Sequence, residues 1–372
     1  MILRNNLVPE YLKYQLEIDN AIFNVLKSGR YTLFEKVSAF ENEFASYNDI
    51  SYCLGVASGT DAIILALRAC GIGGGDEVIT TPYTAYATIS AIISAGAVPV
   101  FVDVCEDSYL IDLEKVLSAI GPKTKAIVPV HLFGNVVDIE RLRAIVGRNI
   151  YIIEDACQAH GSSMNKRKSG SFGDIGCFSF YPTKNLGGYG DGGAIITNNH
   201  DLYNKIKLMR MYGMRDKDHV EIHGMNSRLD EIQAAILSVK LRYLDKFNHQ
   251  RNLIAKKYIS GLSNELFSHQ RILKNTFSNY HVFQSRYAGD RNSLMDCLEE
   301  NNIQANIYYL FPHHLQKSLS YLGYSVGHFP VSEKLSTNVI ALPLYPEIEL
   351  NTVDHIIFVI NNYCKNLGNN KK

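Results

Sequence analysis

The sequence predicts an α/β protein: a three-layer, mostly parallel sheet with helices on both faces, followed by a smaller C-terminal α+β unit. Three observations carry this reading. Short apolar runs alternate with helix-length amphipathic segments from about residue 52 to residue 153. Two glycine clusters, Gly71 to Gly75 and Gly187 to Gly193, punctuate the pattern. After about residue 265 the alternation gives way to a different mixture. Strands separated by helices require right-handed crossovers, and hence a parallel sheet covered on both sides.

The elements follow in order. Residues 10–30 read as a helix, with Tyr11, Tyr14, Ile18, Ile22 and Val25 at helical spacing and Gly29 closing it. A second helix spans about 36–47, and 52–57 is a strand. Helix 60–70 precedes strand 77–80, and helix 86–95 precedes strand 98–102. Helix 112–119 leads to strand 125–130, and helix 138–146 to strand 150–153. Ile175–Phe180 and Gly193–Thr197 read as neighbouring strands, and a long helical region covers about 228–260. Beyond it, 280–287 and 305–310 read as strands, with helices at 291–301, 331–338 and 353–366. The expected division is a large domain, 10–245, and a small one, 246–372, with helix 10–30 packing back on the small one.

Composition excludes several classes. Lys plus Arg and Asp plus Glu are both 37, so there is no basic excess for nucleic acid or anionic membranes. The seven cysteines are spread out with no C-x-x-C pair, which fits buried free thiols rather than a disulfide framework or zinc site. No apolar run reaches membrane-spanning length and the first residues lack a signal core, so a soluble cytoplasmic protein is expected.

Four segments carry chemistry. Gly71-Ile72-Gly73-Gly74-Gly75 is not one of them: it follows a helix and precedes a strand, the reverse of a dinucleotide loop, and reads as a helix C-cap and turn. Ser58-Gly59-Thr60 stands between a strand and an apolar helix, either as a phosphate cradle or as an ordinary N-cap. Ile152-Ile153-Glu154-Asp155-Ala156-Cys157-Gln158-Ala159-His160 ends a buried strand with two carboxylates, at the sheet edge where ligands bind. A buried Asp there needs a cationic partner, such as a protonated pyridine, or else caps the next helix. Phe178-Ser179-Phe180-Tyr181-Pro182-Thr183-Lys184 sets one lysine among apolar neighbours, either a nucleophile of lowered pKa or a solvated loop lysine. The glycines that follow, 187 to 193, suit a tight turn close to a ligand.

Together these segments resemble the sugar aminotransferases of the DegT/DnrJ/EryC/StrS type, enzymes of the aspartate-aminotransferase fold that use pyridoxal 5'-phosphate. The resemblance extends through Gly29-Arg30-Tyr31, Gly224-Met225-Asn226-Ser227-Arg228-Leu229-Asp230-Glu231 and Phe329-Pro330-Val331-Ser332-Glu333-Lys334. It implies that Lys184 forms the Schiff base and later shuttles a proton. It implies that Asp155 pairs with the ring nitrogen, which makes the ring an electron sink. Gln158 would contact the ring hydroxyl. Ser58, Gly59, Thr60 and Ser179 would hold the phosphate, with Asn226 lent by the partner of a homodimer. His160 has no assigned role beyond a supporting hydrogen bond.

Two departures stand out. Family members commonly stack an aromatic side chain on the cofactor, in a Thr-aromatic-x-Ala-Thr run. This chain has Thr84-Ala85-Tyr86-Ala87-Thr88, so only a methyl would face the ring unless Tyr83 or Tyr86 compensates. The sugar-pocket run is matched only at Tyr309, Pro312, His314 and Gln316, and with Arg228 these are the expected substrate contacts. The adjacent His313 and His314 lack further ligands at metal spacing. The implied reaction moves an amino group from an amino acid, glutamate in the first instance, to a keto group of a nucleotide-linked deoxy sugar. Such amino sugars enter polysaccharides, including O-antigens, or secondary metabolites. The rivals are a dehydratase sibling, which carries His in place of the lysine, and a non-catalytic regulator.

Overall fold

The alternation read from the sequence folds into a seven-stranded sheet in a computed structural model that describes residues 1–369. Its first five strands are β1 (Tyr52–Val56), β2 (Glu77–Thr80), β3 (Val98–Phe101), β4 (Thr124–Ile127) and β5 (Tyr151–Asp155). Two short strands, β6 (Ser163–Met164) and β7 (Arg167–Lys168), pair with each other outside the sheet. The last two of the sheet are β8 (Ile175–Ser179) and β9 (Gly193–Thr197). Their spatial order is β1-β9-β8-β5-β4-β2-β3, and only β9 runs against its neighbours.

Helices cover both faces, and the period of two along each strand decides which side chain meets which layer. The helices are α1 (Val8–Ser28), α2 (Glu35–Tyr47), α3 (Gly59–Ala69), α4 (Tyr86–Ser94), α5 (Leu113–Ala119), α6 (Ile139–Val146), α7 (His200–Met209) and α8 (Glu231–Leu241). Val78, Ile153, Cys177 and Ile195 face the layer of α3, α4 and α7. Their neighbours Ile79 and Ile152 pack toward α6, and Phe178 and Ile196 toward α2 and α8. A hairpin of β10 (Met214–Asp216) and β11 (His219–Val220) follows α7 and is exposed throughout.

The remaining chain begins in α9 (Leu244–Gly261), which runs unbroken across residues 245 and 246. Its start, at Leu244 and Phe247, packs with α1, α2 and α8, and its end, at Ile254 and Tyr258, joins the C-terminal core. That core lies on an antiparallel sheet of β12 (Phe267–His269), β14 (Phe283–Tyr287) and β15 (Val339–Leu342); β13 (Thr276–Phe277) pairs instead with β6. The helices here are α10 (Arg291–Glu300), α11 (Pro330–Asn338) and α12 (Leu350–Asn369).

Tyr14 and Ile18 of α1 pack on Ile236 and Val239 of α8 and on Phe247 of α9, and Lys13 stands 4.0 Å from the Glu347 carboxylate. One expectation is corrected. Residues 305–310 form no strand beyond a single bridge, Asn306 to Ala341. The reason is local: the Gln284 side chain accepts from the Tyr308 N–H at 2.9 Å and the Tyr83 hydroxyl donates to its carbonyl at 2.5 Å, so side chains take the places of ladder partners.

Candidate active site

The carboxyl ends of β1, β2, β5 and β8 converge on one pocket of about 260 Å³. Its walls include Ser58, Gly59, Thr60, Ala85, Asp155, Gln158, Ser179 and Lys184, eight of the residues singled out in the sequence. They are far apart in the chain and meet because each follows or ends a strand of the same sheet. This is where an open α/β sheet binds ligands.

Asp155 is the last residue of β5 and is 5% exposed. Its Oδ2 accepts from the Thr88 hydroxyl at 2.7 Å and its Oδ1 from the Cys157 N–H at 3.1 Å. Both donors are neutral, so the carboxylate has no cationic protein partner among the described residues and faces the pocket. Glu154, one residue earlier, points to the other face. There it pairs with His131 at 2.7 Å and accepts from the N–H groups of Gly170, Phe172 and Gly173. Strand alternation thus assigns one carboxylate to the scaffold and one to the pocket.

Lys184 lies in a turn closed by its own N–H donating to Tyr181 O at 2.8 Å. Burial pushes its amine below the ordinary lysine range, against opposing contributions from Cys157 and Asp155. Its side chain makes no hydrogen bond or ion pair among the described residues, so the amine is free to react.

At the start of α3 the Ser58 hydroxyl caps the helix by accepting from Asp61 N–H at 3.1 Å. The Gly59 and Thr60 amides keep no acceptor among the described residues, and both residues line the pocket. A Cβ at Gly59 would stand 2.7 Å from Cys157 Sγ and from Ser179 Cβ, so only glycine lets α3 approach the β5 and β8 ends this closely. The later glycines are similarly explained by crowding. A Cβ at Gly187 would meet the Pro182 carbonyl at 2.4 Å, and one at Gly188 the Gln233 amide at 2.6 Å.

Gln158 accepts from Phe133 N–H at 2.9 Å and donates to the Tyr309 hydroxyl at 3.1 Å, which brings Tyr309 next to the pocket without lining it. Three other expected residues lie apart. His314 is buried and pairs with Glu333 at 3.0 Å, Gln316 is half-buried in the following segment, and Arg228 makes no ion pair among the described residues. Asn226 is exposed, its backbone pinned by a bridge to Met211, while the neighbouring Ser227 hydroxyl donates to Asp61 Oδ2 at 2.7 Å. Neither candidate for the missing aromatic reaches the pocket. Tyr83 is fully buried, and the exposed Tyr86 lies against His313. The His160 ring packs beside Phe178 and Phe180, with the Ser179 main chain as a polar neighbour but no well-formed hydrogen bond from either ring nitrogen. Burial, with the Lys184 charge, takes its pKa down to about 3.

Thr88, Cys157, Tyr181 and Asp191 belong to the site and were not read from the sequence as such. Thr88 had a usable signal, since it stands one helical turn after Thr84 and beside Ala85.

An amine, an anion without a cation and two free amides call for complementary groups on one ligand. A carbonyl compound carrying a cationic ring and a phosphate meets all three, and that is the ligand class of lysine-dependent aminotransferases. The chain belongs to the DegT/DnrJ/EryC1/StrS aminotransferase family, which matches residues 13–361. It is 41% identical over 354 residues to a dTDP-3-amino-3,4,6-trideoxy-alpha-D-glucose transaminase of Micromonospora megalomicea, covering 94% of this chain and 95% of that protein. A Geobacillus stearothermophilus protein named a pleiotropic regulatory protein is 39% identical, over 98% of each chain. The solved structure of Streptomyces venezuelae DesV with a ketimine intermediate superimposes with a TM-score of 0.94, at 38% identity and 98% coverage of both chains. Other solved relatives carry the cofactor as PMP or in a PLP-form.

Proposed function

We propose that this protein transfers an amino group from an amino acid, glutamate in the first instance, to the keto carbon of a nucleotide-linked sugar. The wider statement, that it is a pyridoxal-phosphate-dependent sugar aminotransferase, rests on its family and its relatives. The observation that carries the reading is that Lys184 and Asp155 share one pocket with the free amides of α3.

The donor set suits the cofactor. Gly59 and Thr60 amides with the Ser179 hydroxyl would hold the phosphate, Asp155 the ring nitrogen and Gln158 the ring oxygen. When bound, pyridoxal phosphate supplies an electron sink for the carbanion that forms when the amino-bearing carbon loses its proton. Lys184 supplies the nucleophilic amine, helped by a lowered pKa that leaves more of it neutral near pH 7. The same amine, facing the pocket, would take the proton from the amino-bearing carbon and return it to another carbon. Asp155 stabilises positive charge at the ring, and Thr88 fixes its orientation. Ala85 would offer only a methyl to the ring face, neither Tyr83 nor Tyr86 lines the pocket, and Tyr181 is the aromatic side chain in its wall.

A homodimer is part of the proposal, with Asn226 of one subunit reaching the phosphate in the other. Its exposure, together with the anchoring of Ser227 beside its own pocket, supports a side chain presented outward. The regulator reading has a named relative behind it. Against it stands a site that keeps its amine, its carboxylate and its phosphate donors. The test is to incubate the yellow protein with glutamate and a panel of keto-sugar nucleotides, reading products by mass. An amino sugar formed at the expense of glutamate is the expected result; a cofactor-loaded protein that transaminates none of the panel would count against the substrate class.

A further inference from the structure

Lys240 is 2% exposed, and its ammonium has three neighbours. It stands 2.5 Å from the Glu10 carboxylate of α1, donates to the carbonyl of Gly187 at 2.6 Å, and lies 5.3 Å from the Tyr189 ring centroid. Taking an ammonium and a carboxylate out of water is costly, and well-packed apolar residues often serve stability as well or better. The location of this pair therefore needs a reason beyond stability. Gly187 closes the turn that carries Lys184.

That turn is tied at every other exit. Lys184 N–H donates to Tyr181 O and Gly188 N–H to Phe180 O, both at 2.8 Å. Gln233, two turns before Lys240 on the same face of α8, accepts from Tyr189 N–H at 2.8 Å. Asn185, next to Lys184, donates to Asn248 Oδ1 at 2.8 Å and to Asn279 O at 2.9 Å. The first two bonds close the turn on the residues that follow β8, and the side-chain and carbonyl partners that brace it from outside come from α8, α9 and the segment that enters β14. The Gly187 carbonyl is the one main-chain point in it held by a charged side chain, among the described residues.

We propose that Lys240, with Glu10 as its counter-charge, is a positioning residue that fixes the turn and thereby the reach of the Lys184 amine. The inference rests on the reading of Lys184 given above. Through this pair the N-terminal helix α1, which lines no part of the pocket, acts on the reacting lysine. Displacing a reacting group by an ångström lowers rates by on the order of a hundredfold, so a slackened turn is visible in turnover even where the fold survives.

The test is the double variant Glu10→Gln/Lys240→Met, which removes both members of the pair together, so that neither Glu10 nor Lys240 is left buried without the other. The control is Lys257→Met/Asp354→Asn, a pair at 2.7 Å between α9 and α12 that touches no part of the turn. Three readouts are compared in the holoenzyme: kcat against KM, the pH midpoint of the cofactor's visible band, and amide exchange at Lys184 and Gly188. Exchange is also read in the apoprotein. The double variant is expected to lose at least tenfold in kcat with KM changed less than threefold. Its band midpoint should move by about half a pH unit or more, and both amides should exchange at least tenfold faster, while the control keeps all three. Values within twofold of wild type in a folded double variant overturn the proposal, as do equal changes in the control. If the double variant does not fold, Glu10→Gln alone decides. It keeps an acceptor for Lys240, so a smaller shift of the same kind supports the clamp and no shift rejects it. Borohydride mapping on the same preparations separates the two readings: a label on another lysine fails the role of Lys184, whereas a label on Lys184 with unmoved readouts fails the clamp.

Discussion

Thr88 and Asp155 are joined by a 2.7 Å hydrogen bond in which the hydroxyl of α4 donates to the carboxylate that ends β5. Thr88 is in turn 3.1 Å from the Thr84 hydroxyl, so a short buried relay holds one oxygen of Asp155 while the carboxylate faces the pocket. A neutral donor orients an anion without neutralising it, which leaves Asp155 available to a cationic ring.

Replacing Thr88 by Val keeps the shape and removes the donor. The expected loss is about 1–2 kcal/mol in transition-state stabilisation, roughly tenfold in kcat, with Thr88→Ser restoring most of it. Steady-state kinetics on the three proteins checks this.

Removing the carboxylate itself has a larger effect. Asp155→Ala is expected to bind cofactor and to transaminate slower by two decades or more, about 3 kcal/mol. Absorbance titration with the cofactor and single-turnover rates separate binding from chemistry. Near-normal turnover would place the ring nitrogen elsewhere.

Gly59→Ala tests the cradle. The added methyl would stand 2.7 Å from Cys157 Sγ and Ser179 Cβ and 3.2 Å from Ser179 Cα, so α3 must move off the strand ends. A stability loss of about 1–3 kcal/mol and a cofactor Kd raised at least tenfold are expected, measured by denaturant unfolding and equilibrium dialysis.

His160 makes acid stability a further test. Its folded pKa is near 3 against an ordinary 6.5, so between those values the unfolded chain holds a proton that the folded one refuses. Stability therefore falls as pH drops through 6.5 toward 3, by up to about 1.4 kcal/mol per pH unit for this group. His281, also lowered by burial, acts in the same direction. His160→Leu removes the titrating ring and should flatten the slope between pH 6 and 5 by close to one proton, read by urea unfolding across that range. An unchanged slope would mean that the ring is protonated in the fold.

Subunit exchange tests Asn226. Mixing Lys184→Ala chains with Asn226→Ala chains puts both lesions in one site of each mixed dimer if Asn226 serves the partner. The other site is then wild type, and random pairing regenerates about a quarter of all sites. Activity that stays at the parental average after confirmed exchange would keep Asn226 within its own chain.

Much of this site was legible because its residues obey local rules. Lys184, Asp155, Gly59 and Gln158 each stand where a strand of one parallel sheet ends, so a correct order of strands and helices was enough to bring them together. What stayed hidden depends on tertiary partners. Thr88 reads as an ordinary helix residue until β5 is placed beside α4. Residues 305–310 have the composition of a strand, and only the side chains of Gln284 and Tyr83 reveal that their ladder positions are taken. Helix α1 shows its apolar face in the sequence, but no pattern says that α8 covers it. His160 looks like a hydrogen-bonding residue, whereas the walls around it are phenylalanines.

The central claim is that Lys184 is the amine that holds the cofactor, and reductive trapping tests it most directly. Purified protein reconstituted with pyridoxal phosphate is treated with borohydride, digested and mapped by mass spectrometry. The account predicts one modified peptide, containing Phe180-Tyr181-Pro182-Thr183-Lys184-Asn185, and loss of both label and yellow colour in Lys184→Ala. Label on any other lysine, or a Lys184→Ala protein that still traps cofactor at one site, would contradict it.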